Sequence, residues 1–252
     1  MTNTKTNIIV KKLLKKKGKI LHIDEIKKLI EDLDKKAVYK QIYHLKNKGI
    51  LLSLKKDLFF IKDPNLEITQ EEIIEQIYWK LLKDYTKSNF WQKYFIWWVK
   101  ALEIWNNNYS IPDKITIVNP YKKSKTILLS WKEIQNTTYN IKWLTPEDSF
   151  KKFKKFTEKF LIDNKNFIVA NYELSLLESL YNLSFEEEKY VYEIIKKNIR
   201  KNYKRINTET FEYFLKLGKY SQSCKKLYQI SLTIRPDFAE KLRKIILKWS
   251  YL

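Results

Sequence analysis

Apolar positions recur at helical spacing from the first residues of the chain. Ile8, Ile9, Leu13 and Leu14 form one stripe, and Gly18 marks its end. Ile26, Leu29, Ile30 and Leu33 form a second stripe, with Asp24 as the expected cap. A third helix is expected behind Asp34, with Val38, Ile42 and Leu45 inward and Gly49 as its stop. Two short apolar runs, Ile50–Leu54 and Leu58–Ile61, flank Lys55-Lys56-Asp57 and predict a hairpin, closed off by Asp63-Pro64. Three helices followed by a β-hairpin is the element order of a winged helix, expected over residues 1–64.

Farther along, Thr69 with Glu72 reads as a capping box opening a helix to about Tyr85. The aromatic stretch from Asn89 to Trp105 places Trp91, Phe95, Trp98, Leu102 and Trp105 on one helical face, as core packing requires; Trp97 lies off that face. Strands are expected at Lys114–Val118, Thr126–Leu129, Ile141–Leu144 and Phe167–Ala170, making residues 65–183 an α/β middle region. A second capping box, Ser184 with Glu187, opens an all-helical tail over 184–252. Its helices are expected to about Asn202 and near Thr208–Leu217, Tyr220–Leu232 and Asp237–Trp249. The fold class is therefore α+β and mostly helical.

Composition changes this picture in a few places. Formal net charge is +21, yet 46 of the 50 basic residues are Lys, a bias that an A/T-rich genome produces whatever the function. Distribution is more telling. Residues 1–62 hold 17 Lys against six acidic residues, about half the excess charge in a quarter of the chain, as a phosphate-facing module would. One Cys and two His leave little for disulfides, cysteine-ligated metal or triad chemistry. Only three Gly exclude glycine-rich phosphate loops. The longest apolar run, Tyr94–Val99, is far too short to span a bilayer, and the lysine-rich start lacks an apolar leader. A cytoplasmic protein without membrane, metal or cofactor is expected. Asp84, Glu103, Asp113, Asp148, Asp163 and Glu173 are scattered, and no strand assembles a nuclease set, so no enzymatic centre is expected. Glu173 reads as a carboxylate at a helix start.

If Val38, Ile42 and Leu45 face inward, the opposite face of the third helix shows Lys36, Tyr39, Lys40, Tyr43 and Asn47. One helix fits the major groove, so these residues are the expected base and phosphate contacts. Lys55 and Lys56 would extend the contact from the hairpin tip, and Lys12 and Lys16, within the Lys11–Lys19 cluster, would flank the duplex.

The chain resembles the AbiE-type antitoxins of type IV toxin–antitoxin systems, the AbiEi family of transcriptional regulators. The resemblance rests on Lys36-Ala-Val-Tyr-Lys40, Leu45-Lys-Asn-Lys-Gly49-Ile50 and Lys56-Asp-Leu-Phe-Phe60 in the first module. It continues through Ala101-Leu-Glu103, Ile111–Val118 with Tyr121–Lys125, Ile168–Leu177, and Asn207–Glu212 through Leu227. Lys56-Asp57 stands where the family has Arg-Gly, and Tyr172 where it commonly has proline. The resemblance implies a phage-defence repressor that binds inverted repeats in double-stranded DNA upstream of its own operon, with a nucleotidyltransferase-like toxin as partner. The alternative is a component of a larger defence or mobile-element complex that grips nucleic acid nonspecifically.

Overall fold

The computed structural model describes residues 2–30, 35–55, 57–121, 125–129, 132–137, 144–181, 183 and 188–249. The fold is α+β, mostly helical, with a helical C-terminal region. It comprises two compact units: Met1–Tyr78 with Leu128–Lys132, and Trp79–Ile127 with Glu133–Leu252. No helix among the described residues is long and apolar enough to cross a membrane.

In the first unit the order is α1 (Thr2–Leu14), β1 (Ile20–His22), α2 (Ile23–Leu29), α3 (Lys35–Asn47), β2 (Leu51–Lys55) and β3 (Leu58–Ile61). The strands form an antiparallel sheet in the order β1-β3-β2. Leu13, Ile26, Leu45 and Ile61 are fully buried at the centre of one apolar cluster. Val38 and Ile42 join them from α3, as their spacing requires. Ile9 also faces this core, whereas Ile8, one helical step away, is 52% exposed, contrary to expectation.

Gly49 ends α3 at φ +68°, a left-handed conformation that a Cβ would strain. There the Gly49 N–H bonds to the Lys46 carbonyl and the Ile50 N–H to the Leu45 carbonyl, while both Ile50 and Leu45 stay in the core. The start of α2 differs from the reading. β1 runs directly into the helix, so His22 is the cap in place of Asp24. Its Nδ1 accepts the Asp24 N–H at 3.4 Å, and Glu25 reaches back to the His22 N–H at 2.8 Å. Asp34 and Leu33 lie outside the described residues.

α4 (Gln70–Phe90) opens on the expected capping box, with Thr69 N–H to Glu72 at 2.7 Å and Glu72 N–H to the Thr69 hydroxyl at 3.2 Å. The Thr69 N–H and hydroxyl both donate to the Glu72 carboxylate and hold it below its ordinary range. The helix continues five residues past Tyr85. Ser88 and Asn89 bond back to the carbonyls of Asp84 and Tyr85, and no breaker intervenes.

The aromatic stretch is not one helix. α4 ends at Phe90 and Trp91 turns the chain at φ +55°. β4 (Phe95–Trp97) then enters the larger sheet, and α5 covers only Trp98–Trp105. Phe95 and Leu102 are buried as expected, but Trp91 is 66% exposed. The sheet continues through β5 (Lys114–Val118), β6 (Lys125–Leu129), β7 (Lys132–Thr137), β8 (Thr157–Ile162) and β9 (Lys165–Ala170), in the order β6-β7-β5-β4-β9-β8. β4 is antiparallel to β5 and parallel to β9. β7, β8 and the short helix α6 (Pro146–Lys154) are additions to the expected set. The strand expected at Ile141–Leu144 falls almost wholly outside the described residues.

α7 (Tyr172–Tyr181) is followed by α8 (Glu188–Asn202), a 3-10 turn at Tyr203–Arg205, then α9 (Thr208–Lys216), α10 (Ser221–Leu232) and α11 (Pro236–Trp249). The Ser184–Glu187 box lies outside the described residues. Cys224 on α10 is 1% exposed, and burial pushes its thiol up to about 12.

Glu178 on α7, 1% exposed, accepts a hydrogen bond from the Tyr220 hydroxyl. Burial pushes its carboxyl well above the carboxylate range, against the weaker opposing effects of Lys219 and the Trp97 side chain. The unfolded chain gives up this proton first. Stability from this residue is therefore greatest below the ordinary Glu pKa and falls as pH rises toward the raised folded value. Melting temperature followed across pH is expected to show that decline, and Glu178→Gln to flatten it. An unchanged profile in the variant would rule Glu178 out as the source.

Candidate nucleic-acid interface

The outward side of α3 gathers the residues expected there. Tyr39, Tyr43 and Asn47 lie four residues apart on one stripe, with Lys40 beside them, and all four are exposed. Tyr39 and Tyr43 are 54% and 65% exposed, a large aromatic area for a helix whose other side is fully packed. Lys36 falls on the first turn of α3 and Lys55 ends β2, but their side chains, like residue Lys56, lie outside what the structure describes. Lys55 pairs with Leu58 across the hairpin turn, and Asp57 takes φ +63°.

On α1, Lys12 is exposed, while Lys16, in the turn after the helix, is half-buried. Lys17 pairs with Asp63 at 3.1 Å while its side chain stays 63% exposed.

One participant was not apparent from the sequence. Lys27 on α2 bonds Asp24 at 3.0 Å and places its ammonium 5.8 Å from the Tyr39 ring centroid. The Asp24 bond raises the Lys27 pKa. A cation near the ring face offers the exposed Tyr39 a weak cation–π contact. The i,i+3 spacing of Asp24 and Lys27 was visible, but the Lys27–Tyr39 contact joins two helices.

Four of the six carboxylates considered for catalysis make local bonds. Asp148 accepts the Thr145 hydroxyl hydrogen at 2.6 Å, and Asp163 pairs with Lys165 at 2.8 Å. Glu173, in the first turn of α7 and 5% exposed, accepts the Asn207 backbone N–H at 2.7 Å. Its pKa is raised, chiefly by burial. Glu103 faces Lys100 at 2.7 Å, with side chains 10% and 3% exposed. Lys100 also donates to the carbonyls of Ser110 at 2.5 Å and Asn108 at 3.2 Å, and the Tyr190 hydroxyl donates to Glu103. Desolvation pulls the Lys100 pKa down while Glu103 pushes it up, and desolvation prevails. Among the described residues, no three His, Cys, Asp or Glu side chains come together as a metal site. No protein-family model matches the chain, and no curated protein matches it significantly.

Proposed function

We propose that the first unit is a winged helix and that the chain is a sequence-specific DNA-binding repressor. In this reading α3 enters the major groove, and the β2–β3 turn reaches the neighbouring backbone. The observation that carries it is the exposed stripe Tyr39, Lys40, Tyr43 and Asn47 on the helix that follows α2, backed by the buried Val38, Ile42 and Leu45. Helix order and the β1-β3-β2 sheet support it, as does the concentration of lysine in residues 1–62. The resemblance to AbiE-type antitoxins supports autoregulation at inverted repeats in the cytoplasm and a nucleotidyltransferase-like toxin as partner. Tyrosine hydroxyls would bond phosphates, Lys40 would meet guanine acceptors or phosphate, and Asn47 would add a further polar contact.

The test is a titration against the chain's own promoter DNA and a scrambled duplex of equal length, at several salt concentrations. Lys40→Ala/Tyr43→Ala changes two exposed side chains, so folding is unaffected. The double variant is expected to lose at least about tenfold in promoter preference, since one good base contact discriminates by about 1–3 kcal/mol. Each lost phosphate contact lowers the salt slope by about 0.9. Equal binding to both duplexes, unchanged in the variant, would leave only nonspecific coating.

A further inference from the structure

A cleft of about 350 Å³ opens in the second unit where β4 passes into α5, with Trp97, Trp98, Lys114, Thr116 and Tyr190 among its walls. Its size is that of a small-molecule site. The first turn of α5, Trp98 to Lys100, lines it. No side chain caps that turn and no acidic residue stands in it, so its leading N–H groups carry the positive end of the helix dipole uncompensated.

Two further groups point to an occupant. Thr116, 6% exposed, lines the cleft, and its hydroxyl has no hydrogen-bond partner among the described residues. The indole N–H of Trp98 is buried without a partner. Such a buried group is almost always satisfied, and Trp98 and Thr116 line the same space. Lys100 cannot serve an anion there, because its three donors are committed to Glu103, Asn108 and Ser110. Lys114, exposed at the rim, makes no ion pair among the described residues. Asp113 on the same rim is an acceptor suited to sugar hydroxyls.

The combination selects its ligand. Indole and phenol faces offer stacking to a planar ring, Thr116 offers a polar contact to its edge, and the helix N-terminus with Lys114 offers an anion site. We propose that this cleft binds a nucleoside monophosphate, with the base against Trp98 and Tyr190 and the phosphate at the start of α5. The site lies wholly in the second unit and stands whether or not α3 reads DNA.

Equilibrium dialysis of the full chain against AMP, GMP, CMP and UMP tests it, with adenosine and inorganic phosphate as separate probes. At least one mononucleotide is expected to bind at one equivalent, and at least about tenfold tighter than adenosine or phosphate alone. Lys114→Ala, on an exposed side chain, is expected to remove most of the phosphate increment. Trp98→Gly removes the stacking surface at a position of φ +64°, which glycine adopts without backbone strain, and a thermal melt checks that the variant is folded. This substitution is expected to weaken nucleotide about tenfold while leaving promoter binding unchanged. No mononucleotide bound at about 1 mM, or binding indifferent to both substitutions, would overturn the proposal.

Discussion

Glu103→Ala is expected to destabilise the second unit by about 3–5 kcal/mol, the largest effect of any single charged residue described here. The substitution leaves the Lys100 ammonium in a desolvated site, its side chain 3% exposed, with two carbonyls but no counter-ion. It also strips the Tyr190 hydroxyl of its acceptor. The pH dependence has a definite sign. A lysine whose folded pKa is depressed gives up its proton on folding, so stability rises with pH between the folded value and the ordinary 10.5. Without Glu103 the folded value drops further, and the loss shrinks as the solution becomes alkaline. Urea unfolding at neutral and alkaline pH measures both. The double variant Lys100→Met/Glu103→Leu should be near neutral, because no charge is left stranded. A loss below about 1 kcal/mol for the single variant would mean the pair behaves as an exposed one.

Leu45→Ala is expected to cost about 2–5 kcal/mol in the first unit. Leu45 is fully buried and packs in the cluster shared by all three helices and the sheet, and its carbonyl also anchors the Ile50 N–H after α3. Tyr43→Ala, two residues away but 65% exposed, should leave stability within about 0.5 kcal/mol. On the proposed reading the two substitutions separate cleanly. Leu45→Ala lowers DNA binding only through loss of folded protein, while Tyr43→Ala lowers it in a fully folded one. Thermal melts paired with promoter titrations make the comparison. Equal destabilisation by both would contradict the inward and outward assignment of α3.

Legibility followed physical locality. The face of α3 was readable because Val38, Ile42 and Leu45 repeat at a helical period and Gly49 supplies a left-handed stop. β5 was readable as a β-rich run between turn residues, and the helix at Thr208–Lys216 lies close to where it was expected, opened by an Asn207 cap that the reading did not use. The 89–105 stretch misled because aromatics spaced by fours and threes mimic a helical face. Phe95 and Ile96 instead occupy a strand buried between two neighbours, where no alternation is needed. β8 had a signal that went unused. Asp163-Asn164 both take positive φ, +48° and +56°, in a two-residue turn joining β8 to β9. At the candidate interface, Tyr39, Lys40, Tyr43 and Asn47 follow from periodicity alone. The Lys27–Tyr39 contact does not, because it depends on how α2 and α3 pack. For Lys100 and Glu103, the i,i+3 spacing was written in the sequence, but their removal from water was set by distant segments.

The single thiol has a practical consequence. Cys224 is 1% exposed and burial pushes its thiol up to about 12, so it carries little thiolate at neutral pH. The native chain is thus nearly blind to maleimides and disulfide reagents. A cysteine introduced at the exposed Tyr43 or Asn47 position would be the one reactive handle on the molecule. A fluorophore or DNA cross-linker could be placed on the outward side of α3 without first removing a native thiol.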